Sequence, residues 1–295
     1  MRPYFIVNPV AGGGKAKESF TELAAYLDSR NAEYASVFTE SAGQSAPLAE
    51  QAYAAGERFI CAVGGDGTIN EVASVLYSKR DVVFGICPFG TGNDFARVLK
   101  LPTDPRGVGR VLLDGIAEPV DIGMAGDRPF TNIAGIGFDV GVVINTERYK
   151  ARFHGMIPYL LGVARTLIHM KAIPMKITAD GKTIEENALI LSIGNGSHFG
   201  GGMAALPNAN AQDGLFEICL VKKINIFRFL TLLPLFIKGK HIGKKPVVCL
   251  RAKEVTVECP DTPSQLDGEL VEHAASHYRL IPGALCVMLP PKVSE

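Results

Sequence analysis

Cys61 to Val72 read C-A-V-G-G-D-G-T-I-N-E-V, an apolar run that ends at Gly64-Gly65-Asp66-Gly67-Thr68 and passes into a helical pattern. Phe59 to Val63 suit a buried strand, and Ile69, Val72, Ala73 and Leu76 fall on one helical face. Glycines at a strand-to-helix turn let backbone N–H groups approach a phosphate, and the following helix turns its positive end to the same anion. A carboxylate inside such a turn repels phosphate unless a metal ion bridges the two or the Asp faces a reacting hydroxyl. The chemistry expected is therefore that of a metal-nucleotide or a phosphoryl acceptor. The plainer alternative is a tight turn with no ligand.

Three further stretches repeat the logic. Asn8-Pro9-Val10-Ala11-Gly12-Gly13-Gly14-Lys15 follows an apolar run and opens a helix. Its spacing is not that of a Walker A loop, but it offers glycine amides and a Lys. Pro88-Phe89-Gly90-Thr91-Gly92-Asn93-Asp94 adds polar side chains at a helix start, where Asn93 could equally be a simple cap. Gln265-Leu266-Asp267-Gly268-Glu269 sets two carboxylates on a tight turn, which taken alone is an ordinary hairpin.

The elements that must position these turns alternate through the first 120 or so residues. Strands are expected at 4–7, 34–38, 58–63 and 82–87, with helices at 15–27, 46–55, 68–77, 93–99 and 105–114. That rhythm predicts a parallel sheet covered by helices on both faces, with ligands beyond the carboxyl ends of its strands. After Asp121 short strand-like runs dominate: 129–135, 175–179, 188–193, 215–221, 255–258 and 278–281. Asp180-Gly181 marks a hairpin, and helical insertions are expected at 139–147, 158–169 and 227–237. The domains predicted are 1–123, completed by 284–295 as an option, and 124–283.

The 295 residues are 47% hydrophobic and 20% charged, which excludes a disordered chain. Thirty Lys and Arg balance thirty Asp and Glu, so no global field favours nucleic acid. Six Cys show no C-x-x-C pair and read as reduced core residues of a cytoplasmic protein. His154, His169, His198, His241, His273 and His277 are scattered, with no metal-ligand spacing. The opening run Tyr4 to Val7 reads as a strand, so no secretory signal is expected, and no 18-residue apolar run is present.

In this order, N-P-x-x-G-x-x-K, G-G-D-G-T-x-N-E-V, P-x-G-T-G-N-D-F-A-R and D-G-E resemble the diacylglycerol kinase catalytic-domain family, specifically the bacterial soluble lipid kinases. The likeness spans essentially the whole chain. G-G-D-G-T alone is shared with NAD kinases and resembles a phosphofructokinase turn. Asn70-Glu71-Val72 and the block from Gly90 to Arg97 favour the lipid kinases. The resemblance implies an α/β fold: an N-terminal doubly wound, Rossmann-like domain and a C-terminal antiparallel β domain with helical insertions. It implies ATP-dependent, Mg2+-assisted phosphorylation of a primary lipid hydroxyl, with diacylglycerol the default acceptor.

By the same resemblance, the nucleotide would contact Asn8, Pro9, Gly12, Lys15, Thr39, Gly64, Gly65, Asp66, Gly67, Thr68, Asn70, Glu71, Thr91, Gly92 and Asn93. Asp66 and Asp94 would organise metal and phosphates. Asp267 or Glu269 would be the general base, in competition with Asp66, which related sphingosine kinases emphasise. A structural metal would use Asp213 with backbone carbonyls of Asn210 and Leu215, although an Asp-Gly turn without metal fits nearly as well. The loop 194–202 suits a lid or a plain connection, and Asp121-Ile122-Gly123 a hinge.

The competing functions are an NAD kinase-like enzyme with a water-soluble acceptor and a non-enzymatic nucleotide or lipid sensor. Partner expectations are a lipid substrate at a membrane surface and no nucleic acid, with a homodimer left open. The expected location is cytoplasmic with peripheral membrane association. Lysines flank the apolar stretch 224–237, which suits either an interfacial segment or a packed helix with solvated ends.

Overall fold

In the computed structural model, which describes residues 1–150, 152–153 and 157–291, strand and helix alternate from the start. The order is β1 (Tyr4–Val7), α1 (Lys15–Ser29), β2 (Ala35–Phe38), α2 (Ser45–Ala54), β3 (Phe59–Gly64), α3 (Asp66–Leu76), β4 (Val83–Pro88), α4 (Asp94–Val98) and α5 (Pro105–Asp114). Next come β5 (Ile116–Ala125), β6 (Arg128–Phe130), β7 (Ile133–Gly137), α6 (Phe138–Lys150), α7 (Ile157–His169), β8 (Ile173–Ala179) and β9 (Lys182–Gly194). The chain closes with β10 (Phe216–Lys222), α8 (Ile226–Ile237), β11 (Val247–Ala252), β12 (Glu254–Glu258), β13 (Ser264–Leu266), β14 (Glu269–Val271) and β15 (His277–Leu289). It divides into two units. One holds Met1–Ile122, Ala211–Asp213 and the segment from Ile281 onward; the other holds Gly123–Asn210 and Gly214–Leu280.

The first unit is a parallel sheet in which β1 lies between β2 and β3, and β4 pairs with β3. Every residue of β3 and β4 is buried, as expected of parallel strands covered on both faces. Ala16, Phe20, Leu23 and Leu27 bury one stripe of α1, and Ile69, Val72, Ala73 and Leu76 one stripe of α3. The closing strand joins this sheet: Cys286 and Val287 of β15 run parallel to Val83 and Phe84. Of the 284–295 segment, residues 292–295 lie outside the described ones.

The second unit is antiparallel. β9 pairs with β7, β8 and β10, β12 with β8, and β13 with β7 and β14. Asp180 (φ 44°) and Gly181 (φ 82°) make the two-residue turn between β8 and β9, and Asp267 (φ 50°) with Gly268 (φ 89°) makes the turn between β13 and β14. Both residues of each turn take the left-handed region that Asp-Gly tolerates and an inverse hairpin turn demands.

Several expected boundaries move. The run 129–135 breaks into β6 and β7, because Thr131 and Asn132 turn their amides to a carboxylate described below. α3 begins at Asp66, so the glycine turn is already the first helical turn. β5, β11, β13 and β14 were not among the expected strands. Pro234 lies inside α8, as it does in the expected helix 227–237. All six cysteines are free thiols, three buried and three half-buried. His154 lies outside the described residues. Among the described residues no helix is long and apolar enough to cross a membrane.

Candidate functional site

Three glycine turns meet at the carboxyl edge of the first unit's sheet. Gly12, Gly13 and Gly14, with φ of 62°, 71° and 94°, carry the chain from β1 into α1. A side chain at Gly12 would press to 2.7 Å from the Phe89 carbonyl of the third turn. One at Gly90 would collide with the Gly65 backbone, and one at Gly64 would lie 2.6 Å from Thr68 Oγ1. The glycines are thus required by close backbone approach. Asn8 Nδ2 donates to Thr68 Oγ1 at 3.1 Å, and the Thr39 amide donates to the Val7 carbonyl at 2.8 Å, which places both residues on this edge.

Asp66 has a structural task that the sequence conceals. Its Oδ1 accepts from the amides of Asp94 at 2.7 Å and Phe95 at 3.2 Å, capping the short α4 from another loop. A carboxylate in this turn therefore does not need a metal or a hydroxyl to justify it, contrary to the expectation. Burial raises the Asp66 carboxyl above its usual range, neighbouring Asp94 raises it further, and the amides of Phe95, Asp94 and Asn93 pull it down. Buried Asp94 pairs with Arg97 at 2.5 Å.

Asn93 takes φ 54° and makes no side-chain cap. Its carboxamide instead clasps Gly90, accepting from the amide and donating to the carbonyl at 3.0 Å each. Glu71 also serves structure, because its Oε2 accepts from the Ser45 amide at 3.0 Å at the start of α2. Asn70 Oδ1 is buried without a hydrogen-bond partner. Pro9 and Gly92 are half-buried, while Lys15, Gly67 and Thr91 are exposed. Gly65 caps α3 with no side chain, so no N-cap side chain satisfies the helix's leading amides, the groups that bind an anion at a helix start.

In the second unit the two carboxylates of the Asp-Gly-Glu turn separate. Asp267 Oδ2 accepts from the Thr131 amide at 2.6 Å and its hydroxyl at 2.9 Å, and Oδ1 accepts from the amides of Asn132 and Ile133 at 2.9 Å each. Burial pushes its carboxyl up to about 6 against those four donors. Glu269, the first residue of β14, is exposed. Asp267 is spent on anchoring the turn, and Glu269 is the carboxylate turned to solvent.

The anchoring extends further. Asn195 Nδ2 donates to the Thr131 carbonyl at 2.8 Å, and Asn132 Nδ2 donates to the His198 carbonyl at 2.5 Å. The glycine-rich loop is thereby tied, at its start, to the residues that hold Asp267. Gln265 Oε1 accepts from the Gly268 amide at 2.7 Å, while its Nε2 donates to Asp139 Oδ2 at 3.1 Å. Asp139 sits over Gly135, is buried and has its carboxyl raised by that burial to about 6. Thr131, Asn132 and Asp139 were not anticipated: Asp267 and Gln265, which they meet, lie more than a hundred residues away, and only the Asp-Gly turn signalled a need for partners.

The segment proposed for a structural metal runs from one unit to the other. Ala211–Asp213 belong to the first unit and Asn210 with Leu215 to the second. In the first unit the Ala211 carbonyl accepts from the Asp121 amide at 2.8 Å, and Gln212 Nε2 donates to the Pro119 carbonyl at 2.9 Å. Among the described residues no cluster of three or more His, Cys, Asp or Glu could hold a metal ion. Asp121 Oδ1 also accepts from the Gly283 amide at 2.8 Å, fixing the chain beside the boundary between the units.

Comparison with known proteins covers both units. Residues 2–125 match the family described as diacylglycerol kinase catalytic domain. Residues 132–289 match the YegS C-terminal NAD kinase beta sandwich-like domain. A protein named diacylglycerol kinase from Mycobacterium tuberculosis is 30% identical over 293 residues, covering 97% of this chain and 94% of that protein. One of the same name from Staphylococcus aureus is 30% identical over 270 residues, covering 91% and 86%. The crystal structure of a diacylglycerol kinase from Bacillus anthracis superposes with a TM-score of 0.80 at 26% identity, covering 99% of this chain and 98% of that one.

Proposed function

The chain belongs to the diacylglycerol kinase family of lipid kinases, and from that premise we propose that it transfers the γ-phosphoryl group of ATP to the primary hydroxyl of a lipid, diacylglycerol first among the candidates. Use of ATP follows from the kinase family; the acceptor is our reading. The observation that carries it is the meeting of three glycine turns at one sheet edge, where side chains at Gly12 and Gly90 would strike neighbouring backbone. Such an edge offers amides and the N-terminus of α3 to a polyphosphate. Lys15 at the start of α1 adds a cation.

Phosphoryl transfer asks for positioning and charge neutralisation more than for covalent chemistry. Asp66 and Asp94, close enough for one to raise the other's carboxyl, fit a single Mg2+ shared with substrate phosphates. When bound, that ion would neutralise charge on the transferring group. Asp66 also keeps α4 in place, and Arg97 compensates Asp94. Glu269 takes the hydroxyl proton as the O–P bond forms, since an alcohol is far too weak an acid to lose it beforehand. Asp267 holds the turn and is not the base in this reading.

The reading predicts a peripheral enzyme whose acceptor is embedded in a lipid phase. Radiolabelled ATP offered with a panel of lipid alcohols in mixed micelles tests it: diacylglycerol, phosphatidylglycerol, a polyprenol and a ceramide. Label is expected in the lipid fraction. Label appearing only in a water-soluble acceptor would favour an NAD kinase-like activity, and no transfer to any acceptor would favour a sensor.

A further inference from the structure

α8 is apolar on two faces, and only one of them is packed. Phe229, Leu232 and Phe236 enter the core with Phe138, Val142, Leu189, Ile190, Cys219 and Val221. At about 100° per residue, Ile226, Phe227, Leu230, Pro234 and Ile237 fall together on the other side within an arc of roughly 100°. These face solvent: Phe227 is 78% exposed, Leu230 46%, Ile237 42% and Ile226 39%. A helix of this composition belongs wholly in an apolar interior unless a second apolar phase covers its outer face.

Charge identifies that phase. Between Glu217 and Glu254 the chain carries nine Lys and Arg and no acidic residue, although its overall charge is zero. Lys223 precedes α8, Arg228 lies on its first turn, and Lys238, Lys240, Lys244 and Lys245 follow its end, all of them exposed. A second copy of the chain meeting this face across a two-fold axis would oppose cation to cation. An anionic bilayer offers acyl chains to Phe227 and Leu230 and headgroup charge to the lysines, whose long stems let the ammonium groups rise to the headgroup level. We propose that the outer face of α8, with its flanking lysines, is the surface by which the protein docks on an anionic lipid membrane. This rests on the lipid-kinase reading for its purpose but not for its test.

The test is sedimentation of the full-length protein with phosphatidylcholine vesicles, with and without phosphatidylglycerol, over a salt series. Wild type should pellet with the anionic vesicles and be released by salt. At about fivefold per lysine near the surface, replacing Lys238, Lys240, Lys244 and Lys245 with Gln should weaken binding about a hundredfold or more. Phe227→Ser with Leu230→Ser should weaken it about tenfold or more. Both variants should melt near wild type, because every replaced side chain is exposed. Turnover on a water-soluble short-chain diacylglycerol should be unchanged while turnover on vesicle-embedded diacylglycerol falls. Sedimentation needs no turnover, so a failed kinase assay leaves the docking result standing. Wild type that ignores phosphatidylglycerol overturns the proposal, and so do variants that bind like wild type. It is equally overturned if the apolar pair changes only the oligomeric state in light scattering, which would assign the face to a second copy.

Discussion

Asp267→Asn separates anchoring from chemistry on the Asp-Gly-Glu turn. Asn keeps the left-handed backbone that Asp267 adopts at φ 50°, so the comparison is free of backbone strain. It presents one oxygen and one NH2 where the carboxylate presents two oxygens to four donors. The cheaper orientation turns the NH2 toward Thr131, whose hydroxyl can rotate to accept, leaving one buried amide without an acceptor. That costs about 1–3 kcal/mol, and each surviving bond loses its charge assistance. The sum is about 2–5 kcal/mol, or roughly 5–15 °C of melting temperature for units of this size. Glu269→Ala, at an exposed position, should change stability by no more than about 0.5 kcal/mol and kcat by about a hundredfold. Calorimetric melts well above the raised Asp267 pKa of about 6, with initial rates on the same preparations, decide the matter. An Asp267→Asn protein that melts with wild type refutes the anchoring argument, and if it is also inactive Asp267 is the base. Near-normal turnover in Glu269→Ala removes Glu269 from the chemistry.

Three further outcomes follow from the geometry. Asp66→Asn keeps an oxygen for the Asp94 and Phe95 amides, so it should fold normally yet lose about a hundredfold or more in kcat; wild-type turnover would make Asp66 a cap and nothing more. Gly90→Ala drives a side chain into Gly65 and should abolish ATP binding in titration calorimetry; unaltered affinity would place the nucleotide elsewhere. The Asp139 carboxyl is raised from 3.8 to about 6, so the folded state holds its proton more tightly. The associated stability is complete below the unfolded value and is lost as pH rises through about 6. Melting of Asp139→Asn should show a shallower decline, leaving the share of Asp267, whose carboxyl is also raised to about 6, and a slope equal to wild type would show that Asp139 is not a source of it.

The first unit was legible chiefly because β3 and β4 are buried on both faces. Runs such as Phe59 to Val63 therefore announce themselves, and both pass into glycine turns that close packing demands. Asp180-Gly181 and Asp267-Gly268 were legible because a two-residue inverse turn restricts residue type so sharply. What stayed hidden depended on partners distant in sequence. Nothing near Asp267 names Thr131 and Asn132 as its donors, and nothing in Gly65-Asp66-Gly67 reveals that Asp66 caps α4. Asn93 and Glu71 read as ligand contacts or caps, and their hydrogen bonds with Gly90 and Ser45 were not legible. On α8 the sequence did not separate the face that packs, with Phe229 buried, from the face left exposed, with Phe227.

The most direct measurement follows both products of one mixed-micelle reaction with ATP, Mg2+ and diacylglycerol, counting ADP and lipid phosphomonoester together. The account predicts that the two rise in equal amounts and fall together in Glu269→Ala while that variant still binds ATP. ADP without lipid phosphomonoester, or no turnover with any lipid alcohol, would contradict it.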